Sequence, residues 1–151
     1  MPFFLLAGLL AISCQVAADS GTVVSTVDGS DFVTAQDALV EAIEAEGLVV
    51  GSVLPFGRML ERTGAGAVQR YRNAQIVQFC SAELARRMVA EGAAQIVFCP
   101  LAIALYVTDE KPDQVVLAYR SPGDGSPARR QAGALLARLV ERAASLAKLR
   151  W

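Results

Sequence analysis

The chain contains no histidine. That removes the commonest general base and the commonest metal ligand, so Ser-His-Asp, Cys-His and His-based zinc sites are excluded within this chain. Charge is also scarce: 19% of residues are charged, and 14 basic against 15 acidic residues leave a net charge of −1. Nothing in that balance steers a polyanion, and a nucleic-acid partner is not expected. There is no long hydrophobic run. The longest apolar core, Phe3 to Ile12, is too short to span a bilayer as a helix. The glycine-rich loop from Gly64 to Gly66 lacks the G-x-x-x-x-G-K-[ST] spacing of a phosphate-binding loop. Cysteine is limited to three residues, and none form a C-x-x-C pair, so a thioredoxin-type motif is absent.

What is present is apolar: 54% of 151 residues are hydrophobic, enough for one domain with a sizeable core. Residues 1–18 read as an export signal. Val16-Ala17-Ala18 places small residues at the −3 and −1 positions of a cleavage site. No Lys or Arg precedes the apolar run, which departs from the usual signal. Ala11-Ile12-Ser13-Cys14 loosely resembles a lipoprotein box, so lipidation at Cys14 is the alternative. Either cleavage predicts a periplasmic or secreted domain over residues 19–151, with no membrane span in the mature chain. That compartment is oxidising.

Taken in order, the pattern predicts a strand at Thr22–Val27, then a helix capped by Thr34 with Thr34-Ala35-Gln36-Asp37 as a capping box. Ala35, Leu39, Ala42, Ile43 and Ala45 are its inward residues, and Gly47 ends it. A second strand is expected at Leu48–Pro55, a short helix or turn at Phe56–Gly64, and a third strand at Ala74–Phe79. Arg70, Tyr71 and Arg72 interleave basic and aromatic side chains, but three residues are too few for a nucleic-acid surface, and an exposed strand edge explains them equally. Ser81 caps a helix from Ala82 to about Glu91, with Leu84 and Met88 buried. Gln95–Thr108 reads as the most apolar strand and Gln114–Arg120 as its hairpin partner across a charged turn. Ser126-Pro127 opens a long final helix with a stripe at Ala132, Leu135, Leu136, Leu139, Ala143 and Leu146.

The only reactive side chains expected in the mature chain are Cys80 and Cys99. Cys80 lies just before a helix N-terminus, where a thiolate is favoured. Cys99 precedes Pro100, which cannot donate to a sheet ladder and so marks an edge or a bulge. Three readings stand: two buried thiols packed as small hydrophobes, a Cys80–Cys99 disulfide, and a soft-metal or haem-thiolate site. In the third, Met59 and Met88 are the candidate thioether partners for copper. The small-residue face of Ala102 and Ala104, with Tyr106 and Tyr71, is the candidate ligand lining. No paired-carboxylate motif marks a catalytic site, and no catalytic residue is assigned.

Thr34–Val50, Gly57–Gly64, Phe79–Met88 and Phe98–Tyr106 together resemble the bacterial family called domain of unknown function 302. The resemblance runs from Asp31 to Arg120 and is most specific in the two cysteine segments. It implies an α+β fold: a single antiparallel β-sheet with helices packed on one face, a TATA-binding-protein-like two-layer sandwich. It also implies a homodimer, and it brings no established activity. The expected function is therefore an exported, non-enzymatic binding or redox-accessory module built around Cys80 and Cys99, with a small ligand or a periplasmic protein as partner. The alternatives are a haem or copper carrier and a purely structural dimer subunit.

Overall fold

The computed structural model describes residues 21–63 and 70–150. The expected signal, Cys14, the loop around Gly64–Gly66 and Trp151 lie outside the described residues. Five strands are present: β1 (Thr22–Asp28), β2 (Val49–Leu54), β3 (Tyr71–Cys80), β4 (Leu101–Thr108) and β5 (Gln114–Arg120). Four α-helices join them: α1 (Phe32–Ala45), α2 (Phe56–Glu61), α3 (Ala82–Glu91) and α4 (Pro127–Leu149). A 3-10 turn, Ala93–Phe98, lies between α3 and β4.

Alternation in β4 sets the layers. Leu101, Ile103, Leu105 and Val107 are buried, while Ala102, Ala104 and Tyr106 point the other way and are partly exposed. β4 is the middle strand of one antiparallel sheet, in the order β1-β5-β4-β3-β2. Val27, Val77, Phe79, Val115, Leu117 and Tyr119 join the buried side. Against it pack Leu39 and Ile43 of α1, Leu84 and Met88 of α3, and the long stripe of α4. The α+β sandwich with helices layered on an antiparallel sheet is therefore the observed fold. Alanines at positions 35, 38 and 42 of α1 and 132 and 143 of α4 are fully buried, and small side chains let the two helices approach closely on the sheet.

Several boundaries differ from the sequence reading, each for a local reason. Asp31, not Thr34, caps α1: its carboxylate accepts the Thr34 N–H at 2.9 Å and the Thr34 hydroxyl at 2.7 Å. Phe32 and Val33 thereby enter the first turn, and Asp37 has no capping role. These hydrogen bonds, the backbone one foremost, hold the Asp31 carboxyl below its ordinary range. Ala38 is buried in place of Ala45. Gly47, at φ +73°, takes the left-handed conformation that stops α1. β3 begins at Tyr71, so Arg72 belongs to a strand, one that runs past its β2 partner.

The largest correction falls before β4. The sequence placed one strand from Gln95 through Cys99, but Ala93–Phe98 coils into the 3-10 turn and the strand starts at Leu101. The Cys99 N–H bonds back to the Ile96 carbonyl at 3.1 Å, so it is spent on the turn rather than on a ladder. Pro100 has no N–H to offer, and the Cys99–Pro100 peptide is cis.

Candidate functional site

Cys80 ends β3, and its ladder partner on one side is Val49 of β2. On the other side Phe79 pairs with Leu101, which brings the Cys99-Pro100 dipeptide alongside Cys80. Sheet register thus joins two cysteines that are nineteen positions apart in the chain. Both are free thiols, Cys80 exposed and Cys99 half-buried. Burial pushes the Cys99 thiol above its ordinary value, and the neighbouring Cys80 pushes it further. A dithiol with one open and one sheltered sulfur is the arrangement that results.

The elements around the pair are held from the helical side. Ser81 caps α3, its hydroxyl accepting the Leu84 N–H at 3.3 Å. The far end of α3 is tied to α4, where the Ala128 N–H donates to Glu91 at 2.9 Å. The 3-10 turn is tied there as well: the Ser126 hydroxyl donates to Gln95 Oε1 at 3.2 Å. The Arg129 guanidinium lies 4.5 Å from the centroid of the Phe98 ring. Arg129 is itself fixed by donating to the Pro122 carbonyl. The N-terminus of α4 therefore positions the segment that carries Cys99.

The sheet face turned away from α1, α3 and α4 continues from Cys80. The residues sharing this face are Gln78, Ile76 and Ala74 of β3, Ala102, Ala104 and Tyr106 of β4, Val116 and Ala118 of β5, Val24 of β1, and Ser52 and Leu54 of β2. Antiparallel sheets with one wet face normally alternate apolar and polar. Here the central outward positions are apolar, with Ala74, Val116 and Ala118 only 8% exposed, while Thr22, Thr26 and Arg120 share the face toward β1 and the edge residues Val24 and Val49 stay 54% and 76% exposed. At the end remote from Cys80, Tyr71 stacks edge-on against Tyr106 at 5.4 Å and against Phe56 at 6.3 Å. Gly57 lets α2 settle there, since a Cβ on it would lie 3.4 Å from the Ala74 nitrogen. Burial, and secondly the Tyr71 charge, push the Tyr106 hydroxyl above its ordinary range.

The ligand-lining residues expected from sequence, Ala102, Ala104, Tyr106 and Tyr71, therefore share one face, with Cys80 at its opposite end. Met88 is fully buried in the core. Met59 lies on α2, against the start of β3, some six strand positions or roughly 20 Å from Cys80. Among the described residues no group of three or more Cys, Asp or Glu side chains is arranged to hold a metal ion. What sequence reasoning missed is the breadth of the face: Val24, Leu54, Ile76, Val116 and Ala118 join it only through strand order.

A groove of about 340 Å³ lies on the helical side, lined by Glu46, Leu48, Ser81, Glu83, Arg87 and Arg138 among others. Its charges are already matched, Arg87 with Glu83 and Arg138 with Glu46. No helix among the described residues is long and apolar enough to cross a membrane.

Comparison with known proteins agrees with this architecture. No curated protein matches the chain. A crystal structure of an uncharacterized conserved DUF302 protein from Bacillus stearothermophilus superposes with a TM-score of 0.59 at 18% identity, covering 83% of this chain and 95% of that one. At that identity the likeness speaks for the fold. The model of the family described as domain of unknown function DUF302 matches residues 23–144, from the first strand to the last turns of α4. The chain belongs to the DUF302 family.

Proposed function

We propose that the protein is an exported, non-enzymatic thiol-redox accessory module whose working group is the Cys80–Cys99 dithiol. The observation that carries this reading is the pairing of an exposed thiol with a half-buried one, set side by side by the register of β3 and β4. Exposed cysteine pairs make labile disulfides, whereas structural staples resist reduction. In the forward step the Cys80 thiolate attacks a sulfur of a partner disulfide, and one partner thiolate leaves and is protonated. Cys99 then loses its proton and attacks the Cys80 sulfur, releasing the second partner thiol. The pair ends oxidised by two electrons and the partner disulfide ends reduced.

The apolar sheet face beside Cys80 supports a role as the seat of the partner, whether a periplasmic protein or a second copy of the chain. The chain contains no histidine to serve as a general base beside the thiols.

Equilibration in glutathione redox buffers, followed by thiol trapping and intact mass, tests the reading. The expected result is full interconversion between two free thiols and none within the range of ordinary dithiol proteins, about −270 to −120 mV. A disulfide that stays closed below about −300 mV would be a structural staple and would sink the proposal. Thiols that never oxidise would sink it equally. The mass also reports whether the mature chain begins at Asp19 or at a lipidated Cys14.

A further inference from the structure

We infer that the reduced Cys80–Cys99 pair is a two-coordinate site for a soft, thiophilic monovalent cation of the copper(I) class. The inference rests on the same dithiol, in its reduced state. Thiolate sulfur selects soft cations, copper(I) foremost. The donor set selects further. Structural zinc takes four ligands and calcium six to eight oxygens, whereas no histidine exists in the chain and no third donor adjoins the thiols among the described residues. Two sulfurs alone suit an ion content with linear coordination.

The surroundings fit such an ion. Register fixes the backbone on both sides: Phe79 is paired to Leu101, and the Cys99 N–H is anchored to Ile96. Cys80 is exposed, which gives the ion an entry path and lets an incoming donor displace it. Binding exchanges two S–H bonds for two S–metal bonds. Two protons are released, no electron moves, and the product carries one negative charge. That charge lies just before the N-terminus of α3, a ten-residue helix whose dipole favours an anion there. Met88 is fully buried in the core and Met59 lies on α2, so neither is counted among the donors.

The test is an anaerobic titration of the reduced protein against copper(I) held by the chromophoric chelator bicinchoninate, with proton release followed in weak buffer. One copper per chain and two protons per copper are expected, with two sulfur scatterers and no nitrogen in the copper X-ray absorption spectrum. Cys80→Ser and Cys99→Ser should each weaken binding by more than the roughly 100-fold that losing a supporting contact alone costs. Met88→Leu and Met59→Leu should leave it unchanged. Failure to withdraw copper from the chelator would overturn the inference. So would single-cysteine variants that bind as tightly as the parent. Should Cys99→Ser fail to fold by circular dichroism, Cys80→Ser at the exposed position decides alone. The glutathione titration is run without copper, so a pair that cycles but takes no copper sinks only the metal site. A pair that takes copper but never oxidises sinks only the redox role.

Discussion

Cys80 and Cys99 differ in what surrounds them, and the difference is measurable. Cys80 is exposed and Cys99 half-buried, so a charged alkylating reagent in mild excess should label Cys80 first, as read by peptide mass. The raised Cys99 thiol also predicts a pH dependence of stability. An unfolded chain sheds that proton near the ordinary value of 9.0, while the folded chain keeps it to higher pH. Between those two points the unfolded state holds fewer protons, so stability falls as pH rises through the window and is intact below it. Reduced protein should therefore lose urea resistance in mild alkali, and the disulfide form should lack that thiol-dependent component. Matching curves for the two forms would refute the coupling. At this scale the sequence was half legible. It marked the two cysteines as the reactive groups, because nothing else in a histidine-free chain competes. It did not say that they meet, since that depends on β3 and β4 pairing Phe79 with Leu101.

Elements were legible wherever one pattern ran without competition. Ser81 and Ser126 cap α3 and α4 as their side chains dictate, and the alternation of β4 places its apolar half in the core. Reading failed where two local signals competed. At the start of α1, Asp31 and Thr34 are both good caps, and Asp31 prevails by binding two Thr34 donors at once. Before β4, the apolar run of Ile96, Val97 and Phe98 mimics a strand, but Pro100 removes a ladder donor and the turn takes the Cys99 N–H. Two substitutions probe the elements. Ser126→Ala removes the cap that accepts the Arg129 N–H and also the bond to Gln95, and should cost about 1 kcal/mol in chemical denaturation. Phe79→Ala empties a site that is 1% exposed at the centre of the core and should cost about 3–5 kcal/mol. A change under about 1 kcal/mol at Phe79 would mean that the sheet does not pack on α1, α3 and α4 as described.

For the whole molecule, the asymmetry between the two sheet faces decides most. One face is sealed by three helices; on the other Val24 is exposed, Ile76 and Ala104 are half-buried, and Val116 and Ala118 are buried at 8% exposure. Exposed apolar surface marks an interaction site, and on this side of the sheet it lies at Val24 on one edge and at Val49 and Leu54 on the other. Val24→Lys should leave the unfolding midpoint within about 0.5 kcal/mol of the parent, as expected of an exposed position. It should also reduce self-association or apolar dye binding, read by sedimentation and fluorescence. Dye binding and mass unchanged by the substitution would count against a partner on this face. This surface was legible only in part, because Ala102 and Ala104 announce it in one strand while its width comes from strands distant in sequence. The same strand order has a temporal meaning. Among the described residues β1 pairs only with β5, so there residues 22–28 have no ladder partner until residues 114–120 exist. Most of the chain must be synthesised before its first strand can add to the sheet, and closing so long a loop is slow. The β2–β3–β4 meander has its partners by residue 108, so the sheet can grow from that edge and β1 closes the other edge last.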